Sequence, residues 1–300
     1  MWQQWLTQLQ QGNIKALARS ISFIENEQEG YQQMLLLLPP HTSARVIGIT
    51  GPPGAGKSTL VDGLVGEFVR QGAKVAVICV DPSSPFNLGA VLGDRIRMSS
   101  WYTHPQVYIR SLATRGAMGG LHPKIIEITD LVRAAAFDYI IVETVGVGQS
   151  EIEIAGLADT TVVVVVPEAG DEVQTMKAGL MEIADVFVVN KSDRPDADAF
   201  VKNLRLMLAP AFASHKAEVP IIKTIAQQGE GLNDLVAAIK KHQDAAEYNT
   251  KKAWLLTEKA YQLIQKERMK DVDKLSMKKN IEEDLKADNF HLYKFIQQWL

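Results

Sequence analysis

Hydrophobic and polar positions along the middle of this chain form two alternating patterns. Between residues 44 and 245, short runs rich in β-branched residues alternate with stretches whose apolar positions recur every three or four residues. Several runs, such as 139–142 and 162–166, are continuously apolar, as expected for strands buried on both faces. The predicted strands are 45–50, 74–80, 106–111, 138–143, 160–166, 185–190 and 219–223, and the predicted helices are 57–71, 122–136, 171–182, 198–209 and 231–242.

The pattern divides the chain into three predicted regions. Residues 44–245 are predicted to form an α/β domain whose mainly parallel sheet is flanked by helices, because strands and helices alternate. Residues 1–43 are predicted to form an N-terminal helical extension. Residues 246–300 are predicted to form a C-terminal helical arm with two amphipathic helices, 251–270 and 281–300. The arm is interpreted either as a hairpin that packs on its own domain or as an oligomerisation arm.

Composition limits the classes of protein to consider. The 300 residues are 46% hydrophobic and 22% charged, which is enough for a large core and argues against disorder. A net charge of −3 gives no reason to expect nucleic acid or an anionic membrane as a partner. The apolar runs are too short to span a bilayer and no basic and apolar leader is evident, so we expect a soluble cytoplasmic protein. One cysteine and six histidines without ligand spacing argue against a thiolate or histidine metal site.

A glycine-rich loop follows the first predicted strand. Residues 51–59 read Gly-Pro-Pro-Gly-Ala-Gly-Lys-Ser-Thr, which is the G-x-x-x-x-G-K-[ST] pattern between a strand and a helix. Glycines allow the backbone to wrap around phosphates, so that N–H groups and the helix N-terminus point at the anion. Lys57 is expected to reach the β- and γ-phosphates, and the Ser58 hydroxyl to bind Mg²⁺. The predicted phosphate-binding residues are Gly51, Pro52, Pro53, Gly54, Ala55, Gly56, Lys57, Ser58 and Thr59. The predicted fold class is therefore the P-loop NTPase fold.

A second motif predicts the base. Asn190, Lys191 and Asp193 form an N-K-x-D sequence directly after the predicted strand 185–190. An aspartate carboxylate there accepts hydrogen bonds from guanine N1–H and the exocyclic amine, and adenine offers no such pair of donors. The motif favours guanine over adenine, with a simple polar turn as the alternative.

Three acids are candidates for the metal and the hydrolytic water. Glu143 ends the predicted strand 138–143, and Gly146 follows three residues later. An acid here either orients the attacking water or holds the water shell of Mg²⁺, and the glycine amide contacts the γ-phosphate. Asp81 and Asp94 are expected to orient Mg²⁺-bound waters. Their alternative roles are a helix cap for Asp81 and a surface salt bridge for Asp94.

Taken in order, these motifs resemble those of the MeaB-type GTPases, the family that includes ArgK and the methylmalonic aciduria type A protein. The resemblance extends over about residues 20–240. Besides the loop and the N-K-x-D motif, it rests on residues 81–86 (Asp-Pro-Ser-Ser-Pro-Phe), 92–95 (Leu-Gly-Asp-Arg), 143–151 (Glu-Thr-Val-Gly-Val-Gly-Gln-Ser-Glu) and 170–174 (Gly-Asp-Glu-Val-Gln).

The resemblance implies a GTPase that assists an adenosylcobalamin-dependent acyl-CoA mutase, typically methylmalonyl-CoA mutase, in cofactor loading and protection. It also implies a homodimer with contacts from the C-terminal helices, and a mobile segment at 168–178 that contacts the mutase. Asp81, Asp94 and Glu143 match the family's Mg²⁺ and catalytic acids. The loop expected at the guanine edge departs from the family's Thr-Ser-Ala, since Ile225, Ala226 and Gln227 follow Thr224. A backbone N–H of Ala226 or Gln227 can still bind guanine O6.

Three other functions are compatible with parts of this sequence. A nickel-insertase-type GTPase shares the fold but requires a Cys/His metal-delivery site. A P-loop small-molecule kinase requires a base for the acceptor hydroxyl and leaves the N-K-x-D motif unexplained. In a non-hydrolysing interaction module, nucleotide would only order the segments 81–98 and 168–178.

Overall fold

The structure is a computed structural model, which describes residues 2–40, 42–81, 98–114, 121–146, 150–167, 178–212, 219–245, 250–287 and 289–297. The strands are β1 (Arg45–Thr50), β2 (Val75–Asp81), β3 (Val107–Ala113), β4 (Tyr139–Glu143), β5 (Thr160–Val165), β6 (Val186–Asn190) and β7 (Ile221–Thr224). The helices before β5 are α1 (Trp2–Gln10), α2 (Ile14–Glu25), α3 (Tyr31–Leu36), α4 (Lys57–Arg70), α5 (Ile125–Arg133) and α6 (Ser150–Leu157). Those after β5 are α7 (Ala178–Ile183), α8 (Ala197–Phe212), α9 (Leu232–Asp244), α10 (Thr250–Arg268), α11 (Lys274–Lys286) and α12 (Leu292–Ile296).

Seven parallel strands form one sheet within the described part of the chain. Their order is β3-β2-β4-β1-β5-β6-β7, and every neighbouring pair is parallel. All seven predicted strands are present, with ends shifted by at most two residues, and the predicted fold class is confirmed. Because all the strands run the same way, their carboxyl ends meet at one edge of the sheet, where ligands bind in folds of this type.

The sheet is buried on both faces, which explains the continuously apolar runs. Successive residues of a strand point to opposite faces, and both faces of β2, β5 and β6 are buried. One face packs against α4 and α9, and the other against α6, α7 and α8. The first core includes Ile49, Leu64, Phe68, Val162 and Ile239, and the second includes Ala155, Val163, Ile183, Phe187 and Leu204.

Helix α6 was not predicted from the sequence. Its residues 151–154 alternate between polar and apolar, which is typical of a strand rather than a helix. Gly48 in β1 gives this helix its position, because a Cβ atom at Gly48 would lie 2.6 Å from Ile154 Cγ1. The helix therefore depends on a contact with β1 that a local pattern does not contain.

The N-terminal extension consists of three helices in the described residues, not one continuous helix. Asn13 caps α2 by accepting a hydrogen bond from the Ala16 N–H at 3.0 Å, and Gly30 precedes α3 with a φ of 94°. Arg110 in β3 anchors the extension, because its Nη2 donates to Glu25 Oε2 at 2.8 Å and to Ser22 Oγ at 3.1 Å. The extension is thereby joined to an edge strand of the sheet.

Lys124, just before α5, makes a second connection to the extension. Its Nζ donates to the Tyr31 hydroxyl at 3.2 Å and lies 3.4 Å from Glu27 Oε1. Burial by itself lowers the pKa of the Lys124 ammonium, but the hydrogen bond to Tyr31 and the carboxylates of Glu127 and Glu27 outweigh burial. The pKa therefore lies above its usual value, and the group is positively charged at neutral pH.

The C-terminal residues form a separate compact unit that starts at Ala253, after a first unit that ends at Lys252. The prediction of one tail helix over residues 281–300 is wrong. Helix α11 starts after Asp273, whose carboxylate accepts from the N–H groups of Leu275 and Ser276, and it ends at Lys286. A new cap at His291 then starts α12. Among the described residues, no helix combines the length and apolar character needed to cross a membrane.

Candidate functional site

The loop at residues 51–56 joins β1 to α4 in a conformation that requires glycine. Gly51, Gly54 and Gly56 have φ values of 138°, 77° and 87°. A Cβ atom at Gly51 would lie 2.0 Å from the Val164 carbonyl oxygen, and one at Gly56 would lie 2.4 Å from Asn190 Nδ2. Backbone therefore packs directly against neighbouring strands here, and the loop leads into the N-terminus of α4, whose first N–H groups favour an anion.

The first residues of α4 bring Lys57 and Ser58 to this loop. Lys57 is buried, and its Nζ donates to the carbonyl oxygens of Gly51 at 2.8 Å and Pro52 at 3.1 Å. The Ser58 hydroxyl donates to Glu143 Oε1 at 2.7 Å, although the two residues are 85 positions apart in sequence. The ammonium, the hydroxyl and the carboxylate are therefore close together at the carboxyl edge of the sheet.

Asp81 and Glu143 end adjacent strands. Glu143 pairs with Ile49 on one side and with Cys79 on the other, so that Asp81, at the end of β2, extends past the same edge. Both carboxylates are buried, with residue exposures of 3% for Asp81 and 4% for Glu143. Asp94, the third predicted acid, lies outside the described residues, as do most of segments 81–98 and 168–178.

Gly146 lies directly against the loop. Its φ is 88°, and a Cβ atom there would lie 2.2 Å from the Gly51 carbonyl oxygen and 2.6 Å from Lys57 Nζ. A side chain at this position would displace the backbone of the loop. The prediction of Gly146 as a residue of the site is consistent with this close approach.

Asn190 joins the loop to the end of β7. Its Nδ2 donates to the Ala55 carbonyl oxygen at 2.9 Å, and its Oδ1 accepts from Thr224 Oγ1 at 3.0 Å and from the Ala226 N–H at 3.1 Å. Lys191, with a φ of 55°, donates from Nζ to the Gly54 carbonyl oxygen at 2.9 Å. The N-K-x-D motif is thus tied to the glycine-rich loop at two points.

A cavity of about 200 Å³ opens beside these two motifs. It is lined by Gly56, Thr59, Asn190, Lys191, Asp193, Arg194, Ile225, Ala226 and Gln227. The sequence predicted all of these residues except Arg194, which directly follows the motif but is not part of its pattern. The structure therefore brings the predicted base-binding residues together around one cavity.

A larger cavity, of about 1200 Å³, lies between α8, β7 and α9. It shares Ile225 with the smaller cavity, but no residue of the glycine-rich loop lines it. The smaller cavity is the better candidate for a nucleotide base, because a base must lie within reach of its own phosphates.

The described residues contain no group of three or more His, Cys, Asp or Glu side chains that could hold a metal ion. Within the described part of the chain, the Ser58 hydroxyl and the carboxylates of Glu143 and Asp81 are candidate oxygen ligands at the carboxyl edge of the sheet. Hard oxygen donors of this kind suit Mg²⁺, which keeps several of its waters when it binds beside phosphates.

The parallel sheet and the loop define a P-loop nucleoside triphosphatase. A family model described as "Methylmalonyl Co-A mutase-associated GTPase MeaB" matches residues 17–281. The chain therefore belongs to the MeaB family of GTPases, and the resemblance drawn from the motifs is confirmed.

Individual relatives agree with this assignment. The chain is 47% identical over 254 residues to a putative GTPase from Pyrococcus horikoshii, a match that covers 83% of this chain and 80% of the relative. It is 36% identical over 250 residues to a fused isobutyryl-CoA mutase from Geobacillus kaustophilus, covering 78% of this chain and 23% of that protein. A crystal structure of an LAO/AO transport system kinase is similar with a TM-score of 0.68 and 26% identity, covering 99% of this chain and 95% of that one.

The base cavity leads to a prediction about Asp193. We expect Asp193→Asn to weaken GTP binding about 10- to 100-fold, because one acceptor oxygen of a charged group becomes an amide donor. XTP should then bind better than GTP, since xanthine has an oxygen where guanine has its amine. Competition titrations against a fluorescent nucleotide would measure both affinities. Asp198→Asn, an exposed change in α8 outside this cavity, is the matched control. An unchanged preference for GTP in Asp193→Asn would contradict base recognition by this carboxylate.

Proposed function

We propose that this chain is a Mg²⁺-dependent GTPase that acts as a switch on an adenosylcobalamin-dependent acyl-CoA mutase, and that it assists loading and protection of the mutase cofactor. The observation that carries the proposal is the similarity to a fused isobutyryl-CoA mutase. The matching segment makes up 23% of the length of that protein. That relative is named a mutase as a whole, and the MeaB-like segment is one part of its chain. A separate chain of the same family would have to dock on its mutase to work beside it.

The phosphates of GTP would lie in the concave loop at residues 51–56, against the first N–H groups of α4. When phosphate binds, Lys57 Nζ would donate to phosphate oxygens instead of to the loop carbonyl oxygens, because an ammonium forms stronger hydrogen bonds with charged acceptors. The N–H of Gly146 is proposed to contact the γ-phosphate, since Gly146 already lies against Gly51 and Lys57.

The Mg²⁺ site would be formed by Ser58 with help from Asp81, Asp94 and Glu143. A bound Mg²⁺ neutralises charge on the β- and γ-phosphates during hydrolysis. In the structure Ser58 donates to Glu143, so rotation of this hydroxyl would present its oxygen to the ion while Glu143 remains close by. This contact favours a role for Glu143 in holding the water shell of the ion.

Guanine would occupy the cavity of about 200 Å³, with Asp193 accepting from N1–H and the exocyclic amine. The Ala226 N–H already donates to Asn190 Oδ1. Gln227, the next residue, lines the same cavity, and its N–H is the proposed donor to guanine O6. Ile225 would contribute only apolar contact, in place of the serine found in the family.

A small-molecule kinase is the second candidate, because the similar crystal structure is named a transport system kinase. A kinase transfers the γ-phosphate to an acceptor, whereas a GTPase releases it as free phosphate. The position of Asp193 at the cavity of about 200 Å³ supports a guanine-dependent enzyme. When GTP turnover is measured, release of as much free phosphate as GDP would argue against the kinase.

Glu143→Gln tests the role of the carboxylate beside Ser58. We expect a rise of about tenfold in the Mg²⁺ concentration needed for half-maximal GTP hydrolysis, because a neutral amide holds the ion's waters less strongly than a carboxylate does. Phosphate release would be followed across a Mg²⁺ titration. Glu67→Gln, a buried change in the same α4 helix that carries Ser58, is the control. A lower kcat with an unchanged Mg²⁺ dependence would instead support the water-orienting role.

Affinity capture from the native cell extract tests whether an acyl-CoA mutase is the partner of this chain. The tagged chain would be loaded with GDP or with a non-hydrolysable GTP analogue, and mutase subunits would be identified by mass spectrometry. We expect their recovery to differ between the two nucleotides, because a switch must bind its partner differently in its two states. Lys57→Ala, which should not bind nucleotide, should remove the difference. Failure to recover any acyl-CoA mutase in either state would contradict the proposed partner.

The C-terminal unit is proposed to bind a second copy of the chain. Helix α10 exposes Trp254, Tyr261 and Ile264, with Tyr261 66% exposed. Spacings of seven and three residues put these side chains on one face of the helix. Burial of such a stripe against another copy would remove apolar surface from water, which is the interpretation of the tail as an oligomerisation arm.

Tyr261→Glu tests this interface. We expect the dissociation constant of the dimer to rise about tenfold or more, since truncation of an aromatic hot-spot residue costs about 2 kcal/mol or more. Light scattering after size exclusion, at several protein concentrations, would measure it. Gln262→Glu introduces a carboxylate at the neighbouring exposed position of the same helix and should have little effect. A wild-type chain that is monomeric at every concentration would contradict the proposal.

A further inference from the structure

Two buried threonines connect the strand that carries the phosphate loop to the strand that carries Glu143. Thr144 Oγ1 donates to Thr50 Oγ1 at 2.9 Å, and the Thr144 N–H donates to the Ile49 carbonyl oxygen at 3.0 Å. The exposures of the two threonines are 0% for Thr50 and 2% for Thr144. The side-chain hydrogen bond is therefore shielded from water, where a hydrogen bond is stronger than at the surface.

The pair lies on the opposite face of the sheet from the catalytic candidates. Ile49 faces α4, and Glu143, its register partner, bonds Ser58 at the start of that helix. Successive residues of a strand face opposite sides, so Thr50 faces the α6 side, as does Gly48. Thr144 follows β4, and its side chain lies on the same side because its hydroxyl bonds that of Thr50. The two hydroxyls therefore do not reach the phosphates, and any effect on hydrolysis must come through the backbone.

The backbone next to the pair is where the loop and the end of β4 come closest. Gly51 directly follows Thr50, and Gly146 lies two residues after Thr144. A Cβ atom at Gly146 would lie 2.2 Å from the Gly51 carbonyl oxygen and 2.6 Å from Lys57 Nζ. These two backbone segments are therefore in direct contact, and the hydrogen bond between Thr50 and Thr144 joins the two strands next to that contact.

We propose that Thr50 and Thr144 are positioning residues for GTP hydrolysis: their hydrogen bond holds Glu143 and Gly146 in register with the phosphate loop. This inference rests on the proposed GTPase activity of the site. A shift of a fraction of an ångström between the two strand ends would move Gly146 relative to the γ-phosphate while the base contacts stay in place. Loss of the pair should therefore reduce kcat with little change in nucleotide affinity.

The double variant Thr50→Val/Thr144→Val separates positioning from stability. Removal of one hydroxyl leaves the other buried without a partner, whereas replacement of both by groups of the same shape is close to neutral for folding. The double variant should therefore melt near the wild-type temperature. We expect its kcat for GTP to fall about tenfold or more, with KM and the dissociation constant for GDP within about twofold, because small misplacements at a reacting centre are costly.

Two further variants complete the test. Thr144→Ser keeps the hydroxyl and should have a kcat near the wild-type value. Thr160→Val is the matched control. Thr160 is fully buried at the amino end of β5, on the far side of the sheet from the carboxyl edge, and its hydroxyl contacts His242 Nδ1 at 2.9 Å. It should leave kcat unchanged.

The outcomes are distinct. A wild-type kcat in the double variant would overturn the positioning role, as would a loss of kcat that Thr160→Val shows equally. A wild-type chain that binds GTP but releases no phosphate would contradict the proposed function itself, before any threonine is changed.

Discussion

The site depends on direct contact between the backbone of the glycine-rich loop and the ends of its neighbouring strands. Three glycines mark these contacts: Gly51 against Val164, Gly56 against Asn190, and Gly146 against Gly51. At each of them a Cβ atom would lie 2.0–2.4 Å from a backbone or amide atom, well inside contact distance. The parallel sheet brings the strand ends to one edge, and the absence of side chains lets them approach closely enough to surround an anion.

Close approach of backbone is stable only if the polar groups inside it are satisfied. Asn190 uses its amide group for three hydrogen bonds, to Ala55, Thr224 and Ala226. Lys57 and Lys191 donate to other carbonyl oxygens of the same loop. A buried polar group that loses its partner costs about 1–3 kcal/mol, so these contacts both hold the loop and specify its shape. The glycine-rich loop and the N-K-x-D motif therefore share one hydrogen-bonded framework.

Much of the fold and of the candidate site could be predicted from the sequence, because the strands and the two nucleotide motifs are local patterns. Seven apolar runs predicted seven strands, and fixed spacings predicted the loop and the N-K-x-D turn. Features that depend on distant partners were missed. Helix α6 depends on the space above Gly48, and the hydrogen bond between Thr50 and Thr144 joins residues 94 positions apart. The breaks in the terminal helices had local signals, in Asn13 and Asp273, but apolar spacing concealed them.

In the proposed switch, the geometry also separates affinity from signalling. The cavity around Asp193 and Gln227 would contact guanine equally in GTP and GDP, so it cannot report which nucleotide is bound. Only groups at the γ-phosphate make contacts that differ between the two states. Among the described residues, Lys57 and Gly146 are the proposed direct contacts of this kind, and Gly146 belongs to the chain that continues from β4. The end of β4, held to β1 by Thr50 and Thr144, is therefore the part of the described site that would carry the state of the nucleotide outward to a partner.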